Sequence, residues 1–136
     1  MRLLWVENHA QFAQIATRQF LVGHAVTVAS SLVEARTALA SGSFDVMLID
    51  FDLDDGKGDE LVREIRSSPT RPWVVAASAH DAGNQALAAA GADAICGKLQ
   101  FASIADVLAR LARRSRAIAE SADQFGHRPP NTEKAF

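Results

Sequence analysis

Residues 46–58, reading VMLIDFDLDDGKG, narrow the fold choices more than any other part of the chain. Four apolar residues run without alternation into Asp50, the pattern of a strand covered on both faces in a parallel sheet between helices. In such sheets ligands and chemistry collect just beyond the carboxyl ends of the strands. Asp50 is expected at that edge, with Asp52, Asp54 and Asp55 close behind it. A carboxylate so placed can ligate a metal, attack phosphorus, or do both. The segment alone is equally compatible with a strand that ends in a solvated acidic turn.

The rest of the chain continues the strand–helix alternation. Strands are expected at 2–6 (RLLWV), 25–29 (AVTVA), 45–50, 72–77 and 93–97. Between them, residues 10–21 carry Phe12, Ile15, Ala16 and Phe20 on one helical stripe, with Gly23 as a stop. Ser31 and Glu34 have capping-box spacing and open a helix that closes near Gly42. Helices follow at 60–66 and in the alanine-rich run before Gly91, and a last one starts near Ser103 with Ile104, Val107, Leu108 and Leu111 inward. Five strands alternating with five helices predict an α/β fold with a parallel sheet covered on both faces through right-handed crossovers. Residues 1–120 are expected to form one domain, and 121–136, with Pro129-Pro130, a disordered tail or linker stub.

Bulk properties exclude several classes. At 136 residues there is room for one domain, and 49% hydrophobic with 22% charged residues suits a soluble globular fold. A net charge of -2 predicts no nucleic-acid or membrane binding through bulk electrostatics. No apolar run approaches the ~20 residues of a membrane span. Cys96 is the only cysteine, so no intrachain disulfide can form and a reducing, cytoplasmic location is expected.

The carboxyl ends of the expected strands carry Glu7 and Asn8, Asp50, Ser78 and Lys98. In a parallel sheet these ends share one edge, so the side chains converge. The set suits transfer of a phosphoryl group onto Asp50. Oxygen ligands hold a hard cation such as Mg²⁺, while an ammonium and a hydroxyl bind the other phosphoryl oxygens.

Here residues 2–118 resemble the receiver domain of two-component response regulators, the CheY-like family. The resemblance rests on LLWVENHAQF, LIDFDLDDGKG, VVAASAH and AAGADAICGK. It places the acidic pair on Glu7 and Asn8 and the phosphoacceptor on Asp50. The metal-binding backbone carbonyl falls on Asp52, the loop glycine on Gly58, the hydroxyl on Ser78 and the lysine on Lys98. It implies a single doubly wound (βα)5 flavodoxin-like domain with sheet order 2-1-3-4-5. It further implies a phosphoacceptor regulatory domain rather than an enzyme, with a histidine kinase or phosphotransfer protein as donor. Output would pass to a downstream protein target through the face of the fourth helix, fifth strand and fifth helix, which is also the expected homodimer face. Leu99 and Phe101 are expected to add apolar area there.

Four departures from the family pattern predict atypical switching. Asn8 replaces a carboxylate, dropping a charge worth ~4 kcal/mol against a unit charge at ~4 Å and an effective dielectric of 20, so Mg²⁺ should bind at least about tenfold more weakly. Leu99 stands where a proline is usual, which predicts a trans peptide after Lys98. Ile95 replaces the aromatic switch residue. The segment from Ser78 to Lys98 is about two residues short, which leaves Ala77 as a competing match for the hydroxyl position.

Two other readings compete. A pseudo-receiver would act as a phosphorylation-independent binding module. A haloacid-dehalogenase-type phosphohydrolase would use Asp50 as nucleophile and Asp52 as acid/base. Against the latter, two strand–helix units precede the DFD triplet, and no later acidic pair follows Lys98 in a loop. The four histidines show no metal-ligand spacing and read as loop or helix-end residues, with His9 and His80 placed to border the cleft.

Overall fold

The computed structural model describes residues 1–125. Five parallel strands form the central sheet: β1 (Arg2–Val6), β2 (Ala25–Ala29), β3 (Val46–Ile49), β6 (Trp73–Ala76) and β7 (Ala94–Ile95). Their order is β2-β1-β3-β6-β7, the expected arrangement of the five main strands. Helices α1 (Ala10–Phe20), α2 (Leu32–Ser41), α3 (Gly58–Ile65), α4 (Asp81–Ala90) and α5 (Ile104–Phe125) cover both faces, and a 3₁₀ segment at Lys98–Ser103 precedes α5. The fold is the α/β, doubly wound, flavodoxin-like one.

Alternate residues of the same strands feed two cores. Leu3, Trp5, Val46, Leu48, Trp73 and Val75 pack on the side of α1 and α5. Leu4, Val6, Met47, Ile49, Val74 and Ala76 pack on the side of α2, α3 and α4. β1, β3 and β6 therefore need apolar residues at consecutive positions, which is why they read as unbroken hydrophobic runs. The register sets Val6 beside Ile49 and Ile49 beside Ala76, so the three central strands end level with one another.

Several local features differ from the sequence reading. Two short strands, β4 (Asp52–Leu53) and β5 (Gly56–Lys57), pair as an antiparallel hairpin between β3 and α3. Ile15 is 49% exposed rather than inward. At 100° per residue the buried Ala13 and Ala16 and the half-buried Phe12 and Phe20 define the stripe, and Ile15 falls beside it. Phe101 is buried, stacked on Trp5 with centroids 4.8 Å apart, so the 3₁₀ segment turns it into the core and leaves only Leu99, 82% exposed, on the outer surface. The Lys98–Leu99 peptide is trans, as expected. Helix α5 continues past Ser121 to Phe125 with Ala122 buried, because its apolar side still has a core to cover. Residues 126–136 of the expected tail lie outside the described residues.

The loops are tied down by side chains. Ser31 Oγ accepts from the Glu34 N–H at 3.1 Å, as the capping box requires. The Glu34 carboxylate reaches back one residue further, to the Ser30 N–H at 3.0 Å. Asp55 from the hairpin accepts from the Leu32 and Val33 N–H groups at 2.8 and 3.0 Å, fastening the hairpin to the start of α2.

Candidate functional site

The carboxyl-terminal edge of β1, β3 and β6 forms the cleft. Asp50 follows β3 directly, with its backbone N–H donating to Val6 O at 3.0 Å, so the sheet ladder itself sets its position. Its Oδ1 accepts from the Phe51 N–H at 2.8 Å, and its Oδ2 accepts from Lys98 Nζ at 3.0 Å. Glu7 follows β1 in the same way, with its N–H on Ala29 O at 2.9 Å. Its Oε2 accepts from Lys98 Nζ at 2.9 Å and from the His9 N–H at 3.0 Å. Residues 91 apart in sequence thus meet at one ammonium.

Glu7 is fully buried and Asp50 nearly so. Two carboxylates at this depth repel each other and lose hydration, which Lys98 offsets. Burial acts to lower the Lys98 pKa, but hydrogen bonds and charge from Glu7 and Asp50 outweigh it and hold the ammonium above the usual lysine range. Phe12 lies 5.4 Å beneath the same nitrogen, adding a ring face to its surroundings.

Gly58 shapes the floor of the cleft. Its N–H donates to Phe51 O at 2.7 Å, and a Cβ there would approach Asp50 O to 2.1 Å. Only a glycine lets the hairpin fold back this closely behind Asp50. Gly83 does the same on the far wall, where a Cβ would meet Ser78 Oγ at 2.7 Å.

Ser78 lies at this edge but one step beyond Asp50. The β3–β6 register ends with Ile49 beside Ala76, so Ala77 continues alongside Asp50. Ser78 Oγ accepts from the His80 N–H at 3.2 Å. The buried amide of Asn84 holds the Ser78 backbone on both sides, accepting from its N–H at 2.9 Å and donating to its carbonyl at 3.1 Å. That carbonyl also accepts from the Lys98 N–H at 3.1 Å, coupling the two loops.

The remaining expected ligands divide. Asn8 donates through Nδ2 to Asp54 Oδ1 at 3.2 Å, leaving its own Oδ1 buried with no protein partner. Glu7 Oε1 is likewise buried and unpartnered. Two such oxygen acceptors beside Asp50 are what a cation site leaves when only protein atoms are counted, so the donor set fits an oxygen-ligated cation. The Asp52 side chain instead pairs with Lys57 and is 59% exposed, which gives it no acid/base position toward Asp50. Ligand atoms of Glu7, His9 and Asp50 all lie within 4.8 Å of one another. His9 was legible only as a residue bordering the cleft. Its turn inward depends on the 3.0 Å contact between Nδ1 and Glu7 Oε2.

A family model described as the response regulator receiver domain matches residues 3–98. No curated protein matches the chain. Among solved structures, a receiver domain of a Francisella response regulator superposes with a TM-score of 0.67 at 24% identity, covering 81% of this chain and 92% of that one. The Thermotoga maritima response regulator TrrA, in complex with Mg²⁺ and BeF, gives 0.72 at 20% identity, covering 81% and 97%. A Burkholderia pseudomallei response regulator with a phosphorylated aspartic acid and a calcium ion gives 0.69 at 23% identity, covering 90% and 74%. At these identities the likeness shows the fold.

Proposed function

The chain belongs to the response regulator receiver domain family, and from that premise we propose that Asp50 accepts a phosphoryl group from a histidine kinase or phosphotransfer protein. The observation that carries this reading is the Lys98 ammonium seated between Glu7 and Asp50, at 2.9 and 3.0 Å. Asp50 Oδ2 is the attacking oxygen, since Oδ1 is held by the Phe51 N–H, and its bond to phosphorus forms as the phosphorus–nitrogen bond of the donor's phosphohistidine breaks and the imidazole leaves. Lys98 moves its hydrogen bond from Asp50 to the incoming phosphoryl oxygens, where negative charge accumulates. Ser78 contributes its hydroxyl after a small rotation away from the His80 N–H. With Ala77 alongside Asp50, the hydroxyl contact is weaker than one from that position would be.

Glu7, Asn8, Asp50 and the Asp52 backbone carbonyl are the oxygen donors that would hold Mg²⁺. When bound, the ion would supply charge neutralisation for phosphoryl transfer. Support comes from the buried unpartnered oxygens of Glu7 and Asn8, and from the Mg²⁺ and calcium ions named with two structures of the same fold. The domain signals by protein–protein contact, through α4, β7 and α5, with exposed Ile95 and Leu99 as its apolar points. Ile95 in place of an aromatic residue removes a ring rotation as the readout.

Incubation with a small phosphodonor and a divalent ion, followed by intact-mass measurement, tests this. The wild-type chain should gain one phosphoryl group and Asp50→Ala none. No gain in the wild type would leave a binding module that works without phosphorylation.

A further inference from the structure

We propose that the free edge of β2 pairs with the same edge of a second copy of the chain, antiparallel about a two-fold axis at Thr27, joining two five-stranded sheets into one. The contact lies across the sheet from β7 and does not depend on phosphoryl transfer.

The backbone shows which groups are open. β2 ends the sheet order, so only β1 flanks it. The Ala25 N–H donates to Met1 O at 3.0 Å, and Ala29 O accepts from the Glu7 N–H at 2.9 Å. In the continuous parallel register, Ala25, Thr27 and Ala29 therefore bond β1, while Val26 and Val28 turn their N–H and C=O groups outward. The next outward donors on either side are already taken. The His24 N–H donates to Leu21 O at 3.2 Å and the Ser30 N–H to Glu34 Oε2 at 3.0 Å. The open edge is thus confined to Val26 and Val28, placed symmetrically about Thr27.

The side chains repeat that symmetry. β2 reads Ala-Val-Thr-Val-Ala, the same in both directions. An antiparallel copy centred on Thr27 sets Val26 opposite Val28 of the second copy, and each such pair exchanges two main-chain hydrogen bonds. The two threonines then face each other as a non-hydrogen-bonded pair, with Cα atoms about 4.5 Å apart. Ala25, Thr27 and Val28 are exposed, so neither α1 nor α2 overhangs the edge. On the α1 side a cavity of about 450 Å³, lined by Gln14, Thr17, Arg18, Val26 and Val28, leaves both valines open. The strand has no charged residue, proline or bulge of the kind that blunts an edge. β7, at the other edge, is blunted by its length of two residues.

Charge favours the antiparallel sense. Arg18, in the last turn of α1, lies toward the start of β2, and the Glu34 carboxylate sits at its end on the Ser30 N–H. The two-fold brings the start of each strand to the end of the other, so Arg18 of each copy approaches Glu34 of its mate. A parallel contact would set like charge beside like. Two strands this short bury less than the ~1,200 Å² of a standard interface, so the dimer should assemble on the order of 100 µM.

Sedimentation equilibrium of the full chain up to about 1 mM reads the association. Thr27→Lys and Thr27→Glu change an exposed side chain and put like charges on the axis. Each should weaken the dimer at least about tenfold, and an equimolar mixture should restore it. Restoration also shows that both variants fold. Thr27→Cys should cross-link to its own copy on mild oxidation, because the Cα spacing suits a disulfide. Ala25→Cys should not, since Ala25 faces Ala29 of the second copy. Cys96 is buried and gives no background. Association indifferent to residue 27 would place the contact elsewhere, as on α4, β7 and α5, and overturn the proposal. So would a monomer throughout, a mixture that fails to associate, or equal cross-linking of the two cysteine variants.

Discussion

Four aspartates fall within residues 50–55, yet they do opposite things. Asp50 is buried at the end of β3 and shares Lys98 with Glu7. The hairpin acids just after it are exposed, and each has a structural partner: Asp52 pairs with Lys57, Asp54 accepts from Asn8, and Asp55 holds the start of α2. Density of acidic residues therefore says little about chemistry. What distinguishes Asp50 is that the sheet delivers Glu7 and Lys98 to it from distant parts of the chain. Asp54 and Asp55 also reach distant groups, but all three hairpin acids do so from the exposed surface, where no second buried carboxylate shares their partner.

The contrast breaks most readily at Gly58, which lets the hairpin run behind Asp50. With backbone oxygen at 2.1 Å from the added Cβ, Gly58→Ala should cost about 4 kcal/mol, above the usual cost of overpacking because the backbone must move. Denaturant unfolding measures it, and a loss below about 1 kcal/mol would mean the hairpin shifts freely. Next in size is Lys98→Ala, which strands two buried carboxylates. A loss of about 3 kcal/mol is expected, at the low end for a broken buried pair because the cleft opens to solvent. Added divalent ion should recover part of it, and recovery equal in Asp50→Ala, Lys98→Ala would place the ion elsewhere.

The smallest effect belongs to the hairpin. Hydrogen bonds from the Leu32 and Val33 N–H groups hold the Asp55 carboxyl below its usual pKa. A carboxylate so lowered contributes its stability above the ordinary value of about 3.9, and loses it as pH falls through the lower folded value. Asp55→Asn should therefore melt below wild type at neutral pH by less than Lys98→Ala does, and the gap should close in acid. A gap that persists unchanged below about pH 3 would assign the effect to shape rather than charge.

The lesson extends to what was legible beforehand. The central strands could be read because β1, β3 and β6 are covered on both faces and must be apolar at every position. Glu7, Asp50 and Lys98 could be placed together because parallel strands bring their carboxyl ends to one edge. The β4–β5 hairpin, two residues per strand, is too short to show a period. Phe101 looked like surface because its place in the core depends on a 3₁₀ turn that only packing against Trp5 selects. Ile15 looked inward because a short helix admits more than one apolar stripe.

The order of residues alone determined the layering of the fold and which side chains share the active edge, since hydrophobic period and strand polarity are properties of the chain. Tertiary structure alone decided which oxygen faces which cation: Lys98 between Glu7 and Asp50, His9 turned onto Glu7, Asn8 turned to Asp54. The Lys98 and Asn8 choices depend on contacts between residues dozens of positions apart, and all three are made at distances where an ångström changes the partner, so no periodicity in the sequence encodes them.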